Sequence, residues 1–274
     1  MSSILTNNSA SVALATLQNV NRGLTETQNR VSSGLQVRSG KDNAAYFAIS
    51  ETMKGDSGMF KAINEGMTST KNSVATARLG AETVSDLAQQ VVERIAFAQG
   101  DGVDRAAVQS ELDSLSANMQ SAIDQATFNG DDLVGGAAAT QTVVTGITRS
   151  GGTFGTTTMT FSSVDLQAIQ TAIDGIDLTT STDLAADLVT AEGQLQNAIS
   201  AATSMGVAEK SLEDQMNFID ALTDTIDSGV GSMVDADMEE EAARLQAYQV
   251  QQQLATQSLA IANQSPQNIL SLFR

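Results

Sequence analysis

Residues 17–35 read LQNVNRGLTETQNRVSSGL, and residues 243–261 read ARLQAYQVQQQLATQSLAI. In the first stretch Leu17, Leu24 and Val31 recur every seven residues, with Val20 and Leu35 beside them. In the second, Ala247, Leu254 and Ile261 do the same, with Ala243 and Val250 on the alternate step. Each is a narrow apolar seam on an otherwise polar helix. Such a helix gains little until it meets another, because isolated helices are marginal in water. The spacing therefore predicts that helices over 4–33 and 238–264 pair with each other and then with other copies, so assembly is the expected role.

Composition supports long helices and excludes several chemistries. The 274 residues are 41% hydrophobic and only 4% aromatic, and they include a single proline. Uninterrupted helices are thus permitted through most of the chain. With no cysteine and no histidine, disulfides, thiolate metal sites and imidazole chemistry are excluded. The net charge of −18 is uneven: residues 1–105 carry ten basic and ten acidic side chains, whereas residues 106–274 carry four and 22. That acidity argues against nucleic-acid partners. It fits either a balanced first half lying against an acidic second half or a merely solvated acidic face. No apolar run reaches the length of a bilayer span, so membrane insertion is not expected. The opening residues lack the basic and apolar regions of a cleaved secretory signal.

Between the ends the pattern is mainly α. Arg22, Glu26 and Arg30 stand four apart on the polar side of the first helix and permit two opposite-charge pairs. Ser32-Ser33-Gly34 ends that helix, and Asn43 is placed to cap a second one over about 44–99. The second helix's apolar set includes Met67, Val74, Leu79, Val84, Val91 and Ile95, and Gly100-Asp101-Gly102 stops it. A third helix is expected over 104–127. Asn129-Gly130 then marks a turn, and Gln141–Thr145 and Thr156–Phe161 are strand candidates for a β-hairpin inside a region of about 129–163. Helical texture resumes near Asp165, pauses over 174–181, and runs from Asp183 to Ser228 through Leu184, Leu188, Ala191, Leu195, Ile199 and Ala202. Gly229-Val230-Gly231 reads as the break before the last helix. The expected fold is mainly α: a long antiparallel helical rod or coiled coil with paired terminal helices and a small central β-hairpin. Its domains are residues 1–43 with 233–274, and residues 44–232.

No catalytic constellation emerges, so an enzyme is not expected. There is no histidine base for a serine nucleophile, no Gly-x-Ser-x-Gly elbow, no phosphate loop and no dinucleotide fingerprint, hence no cofactor. The run Asp235-Ala-Asp237-Met-Glu239-Glu240-Glu241 admits a divalent-metal reading, but it lacks fixed loop spacing. Carboxylates opening a helix explain it better, since they cap free N–H groups and oppose the positive end of the dipole.

At the two ends a resemblance becomes specific. Asn29-Arg30-Val31-Ser32-Ser33-Gly34-Leu35 followed by Lys41-Asp42-Asn43-Ala44-Ala45 resembles the N-terminal signature of bacterial flagellins. Glu241-Ala-Ala-Arg244-Leu245, Val250-Gln-Gln-Gln-Leu254 and the tail Ala262-Asn263-Gln264-Ser265-Pro266 through Arg274 are similar to the family's last helix and terminus. Phe128-Asn129-Gly130 matches the turn after its third helix, and the short middle looks like the alphaproteobacterial type.

The resemblance implies a structural subunit that polymerises with copies of itself or sister flagellins into the extracellular flagellar filament for swimming motility. It implies passage through the flagellar secretion apparatus with an export chaperone and without signal cleavage. Contacts with the filament cap and with hook–filament junction proteins are implied too. The seam Leu17, Leu24, Val31, Leu35, Ala247, Val250, Leu254 and Ile261 would then be the assembly surface, in an inner domain lining the filament channel. Thr142, Thr145, Thr148, Ser150, Thr153, Thr156, Thr157 and Thr158 are candidates for O-glycosylation, as in relatives, with plain β-propensity of threonine the competing reading. In Gln90–Ala96 the order Glu93-Arg94 reverses a receptor-recognised pair, so recognition by the flagellin-sensing Toll-like receptor is not expected. A hook–filament junction protein shares similar ends. A cytoplasmic signalling coiled coil shares the helical composition but not the tail.

Overall fold

The computed structural model describes residues 7–150 and 153–271, with side chains described except at 150 and from 265 onward. Among the described residues six helices and two strand pairs follow one another: α1 Asn8–Ser33, α2 Ala44–Ala98, α3 Arg105–Gln125, β1 Thr127–Phe128, β2 Asp131–Asp132, β3 Thr140–Ser150, β4 Thr153–Ser162, α4 Leu166–Asp174, α5 Leu184–Val234 and α6 Met238–Ser271. The long helices and the antiparallel hairpin match the fold class expected from sequence. Two compact units divide the chain: one takes the segments up to Gly55 and from Thr225 onward, the other Asp56–Asp224.

Local chemistry sets the helix ends. Gly34 takes φ 72° and returns its N–H to Arg30 O, closing α1 in the left-handed conformation that glycine adopts without strain. Asn43 Oδ1 accepts from the N–H groups of Ala45 and Tyr46 and opens α2. Asp104, Asp165 and Asp237 cap α3, α4 and α6 in the same way. Asn129 and Gly130 both have positive φ, as the tight turn between β1 and β2 requires.

The Asp56–Asp224 unit is built on heptads. On α2, Val74, Ala77, Ala81, Val84, Ala88, Val91, Ile95 and Ala98 alternate steps of three and four and are all buried. On α5, Ala191, Ala198, Met205 and Leu212 repeat every seven residues in the same core. Leu79 and Ile199, expected inside, are 62% and 41% exposed. The reason is angular: Leu79 lies five residues from both Val74 and Val84, a step that no helix face keeps. The core positions passed over are Met205 and alanines such as Ala77, Ala81, Ala88 and Ala198; the alanines carry little hydrophobic signal yet fill the heptad.

A polar zipper ties α4 to α3. Ser116 Oγ donates to Asp174 at 2.8 Å, Gln170 donates to Ser116 at 2.9 Å, and Gln120 and Gln167 exchange bonds of 2.8 and 3.0 Å. The β3–β4 hairpin carries a bulge between Val144 and Gly146. It is held to α2 by Arg149, whose guanidinium donates to Asp56 at 2.6, 3.0 and 3.1 Å.

In the other unit the expected break at Gly229-Val230-Gly231 does not occur, and α5 continues to Val234. Each glycine costs about 1 kcal/mol relative to alanine in a helix. Burial of Val230 and Val234 against Val37 offsets that cost. The helix stops where the chain from α1 crosses it: Gln36 and Val37 both donate to Val234 O, and Ala236 donates to Gly34 O.

Candidate assembly surface

The terminal helices meet along one row of each. On α1 the less exposed residues are Ala10, Ala13, Leu17, Val20, Leu24, Thr27 and Val31. On α6 they are Glu241, Leu245, Tyr248, Gln252, Ala255, Leu259 and Ala262. Both rows step by three and four, so each is a heptad seam. The cross-contacts fix an antiparallel register. Asn7 Nδ2 donates to Ala262 O at 2.8 Å, Gln252 Nε2 donates to Asn21 Oδ1 at 2.7 Å, and Arg30 pairs with Glu241 at 3.2 Å. Between them a Cβ on Gly23 would lie 2.6 Å from Cζ of Tyr248, so glycine leaves room for the ring.

Glu241 is buried in the first turn of α6, 5% exposed. Its Oε1 accepts from Arg30 at 3.2 Å and Arg244 at 3.4 Å, while its buried Oε2 has no hydrogen-bond partner among the described residues. Charge-assisted bonds to guanidinium are what make such burial tolerable. Only one of the two pairs expected along the α1 row forms: Arg30 reaches Glu26 at 2.7 Å, whereas Arg22 donates to Asn19.

The eight seam residues fall into two groups. Leu17, Leu24 and Val31 face α6 and are half-buried, and Leu35 is half-buried against Val37, Val230 and Val234. On α6, by contrast, Ala247, Val250, Leu254 and Ile261 are exposed, the last three by 55%, 60% and 64%. The row that faces α1 is displaced from them by about a residue. An apolar edge is therefore left open on α6, beside a groove of about 560 Å³ lined by Val12, Ala13, Thr16, Val20, Leu254 and Ala255.

Among the signature residues, Arg30, Gly34 and Asn43 have the structural tasks given above. Asp42 accepts from the N–H groups of Arg38 and Ser39, and the Arg38 bond does most to hold its carboxyl below the usual range. Asn29, Lys41, Asn263 and Gln264 are exposed. Pro266 lies within α6, but its side chain is outside the described residues, as is all of Arg274. On the hairpin, Thr142, Thr148, Thr153, Thr156, Thr157 and Thr158 are exposed; Thr145, at the bulge, is buried, and the side chain of Ser150 is outside the described set.

Sequence reasoning missed Gly23 and Tyr248, and it read Glu241 as a helix-opening carboxylate without its partner Arg30. A lone glycine inside a strong helical pattern was the available signal, since its propensity cost is tolerated where packing requires a small residue.

Comparison with known proteins covers both ends. The pattern of the bacterial flagellin N-terminal helical region matches residues 4–139, and that of the C-terminal helical region matches residues 188–273. The chain is 36% identical to a flagellin of Brucella melitensis, with all of both chains covered. It is 33% identical to flagellin C of Rhizobium meliloti, again over both whole chains. With flagellin FljK of Caulobacter vibrioides it shares 31%, covering 100% of this chain and 99% of that one. A solved structure named for the flagellar hook-associated proteins, from Vibrio parahaemolyticus, superposes with a TM-score of 0.53 at 14% identity, covering 71% of this chain and 100% of that one. At that identity the likeness is one of fold.

Proposed function

The chain belongs to the bacterial flagellin family, and we propose that its α1–α6 pair is the part that packs copy against copy. It is a structural subunit of the flagellar filament and serves motility outside the cell. The observation that carries the proposal is the open apolar edge Val250, Leu254 and Ile261. Covering what remains exposed of each side chain is worth about 1–1.5 kcal/mol. Repeated along a polymer, that gain offsets the ordering of helices with few partners of their own.

On this reading residues 1–43 and 233–274 form the inner domain around the channel, and residues 44–232 the layer outside it. Family membership supports passage through the flagellar secretion apparatus with an export chaperone, and contacts with cap and hook–filament junction proteins. The exposed threonines of β3 and β4 are the acceptors for O-glycosylation on this reading, with Thr145 left out because it is buried. Intact-mass measurement of native filaments tests that part.

The test of the assembly reading is deletion of residues 254–274. Sedimentation of the truncated chain with wild-type seeds is expected to show no elongation, while circular dichroism still reports a helical subunit. Normal filaments from the truncated chain would refute the proposal.

A further inference from the structure

A second surface of the same unit is electrostatic. Arg22, Thr25, Glu26 and Asn29 follow i, i+3, i+4, i+7 spacing and so share one face of α1. That face is turned away from the α6 seam. Arg38, from the link before α2, lies over it and, with Asn21, completes a groove of about 380 Å³. Its charges do not cancel. Glu26 is committed to Arg30 at 2.7 Å. Asp42, beside Arg38, accepts from the N–H groups of Arg38 and Ser39 at 3.0 and 3.1 Å and feels the Arg38 charge, but makes no ion pair with its guanidinium. Arg22 bonds only the neutral Asn19, and among the described residues neither Arg22 nor Arg38 makes an ion pair. Two exposed guanidinium groups thus line one groove in a chain whose net charge is −18.

The same unit carries the complementary feature at the start of α6. Asp235 and Glu239 are exposed and make no ion pair among the described residues, whereas Asp237 is spent on capping and Glu240 on Arg244. A self-complementary patch would close copies into a dimer. A helical polymer needs two different patches that match, so that each copy presents one to the copy ahead and the other to the copy behind.

We infer that the groove of Arg22 and Arg38 receives Asp235 and Glu239 of a second copy, adding an ionic contact to the apolar one. This rests on the filament reading above. Such a rim contact sets association rate and register more than total affinity, and salt weakens it.

The test is seeded elongation of the full-length chain, reading the subunit concentration left at the plateau, with circular dichroism to match helix content. For Arg22→Glu/Arg38→Glu that concentration is expected to rise roughly tenfold at low ionic strength, with a similar rise for Asp235→Lys/Glu239→Lys. Arg22→Lys/Arg38→Lys is expected to elongate as wild type does. The fourfold charge swap in one chain is expected to restore elongation. Unaltered elongation by the arginine reversal overturns the inference. So does a fourfold variant as defective as its worse half, which would send the groove to other carboxylates, such as the 23 acidic residues of the Asp56–Asp224 unit. Failure of the wild-type chain to elongate would instead count against the filament reading itself.

Discussion

The ring of Tyr248 lies over the backbone of Gly23 so closely that a methyl group there would stand 2.6 Å from Cζ and 2.9 Å from the hydroxyl oxygen. In most helices Gly→Ala stabilises by about 1 kcal/mol. Here the sign reverses, because the ring must leave its place between α1 and α6. Gly23→Ala is expected to destabilise the pair by about 1 kcal/mol, the low end for overpacking since the clash is with a side-chain tip. Adding Tyr248→Leu should recover part of that loss. Hydrogen exchange of α1 amides in the two variants checks it, and stronger protection in the single variant would contradict it.

Arg30 and Glu241 give a second prediction. Removing one partner of a buried pair leaves an uncompensated charge, which costs more than the pair itself contributes. Arg244, at 3.4 Å, remains as a weaker partner. Arg30→Met is therefore expected to destabilise the α1–α6 pair by about 2 kcal/mol. Arg30→Met/Glu241→Leu should be less damaging than the single change. Denaturant unfolding of the variants, followed at helix signals, decides between additive and compensating effects.

The buried alanines of α2 set the third. Ala81→Leu or Ala88→Leu forces a larger side chain into a fully covered heptad position and should cost about 1–3 kcal/mol. Leu79→Ser, at a 62% exposed site, should stay within about 0.5 kcal/mol of wild type. Thermal melts of the three proteins check the register of the whole core.

Asp177 supplies a pH dependence. Bonds from the hydroxyls of Thr179 and Thr180, and from their N–H groups, lower its carboxyl to about 2 from an ordinary 3.8. A depressed folded-state value means stability that is present above about pH 4 and is lost as pH falls through 2. Asp177→Ala should accordingly be less stable than wild type at neutral pH, with the difference shrinking towards pH 2. An NMR titration of the Asp177 carboxyl with its midpoint near 4 would contradict this.

The sequence carried the helices well where capping chemistry was explicit. Gly34, Asn43 and Asn129-Gly130 each named their own turn. It misled at Gly229 and Gly231, because helix propensity is local while the burial of Val230 and Val234 is tertiary. It did not separate the two rows of α6. Ala247, Val250, Leu254 and Ile261 are the more apolar row, so periodicity selected them. The row that pairs within the chain contains Glu241 and Gln252, polar residues that meet Arg30 and Asn21. Hydrophobicity alone does not reveal which row a helix keeps for its own chain and which it leaves open.

That open row is the central claim, and the absence of native cysteine makes it directly measurable. A single cysteine at Leu254 can be alkylated in the free subunit and in assembled filaments, with one at the half-buried Leu245 for comparison. Fast labelling of Leu254→Cys in the free subunit and strong protection in the filament is the predicted result. Equal labelling rates at that site before and after assembly would contradict the account.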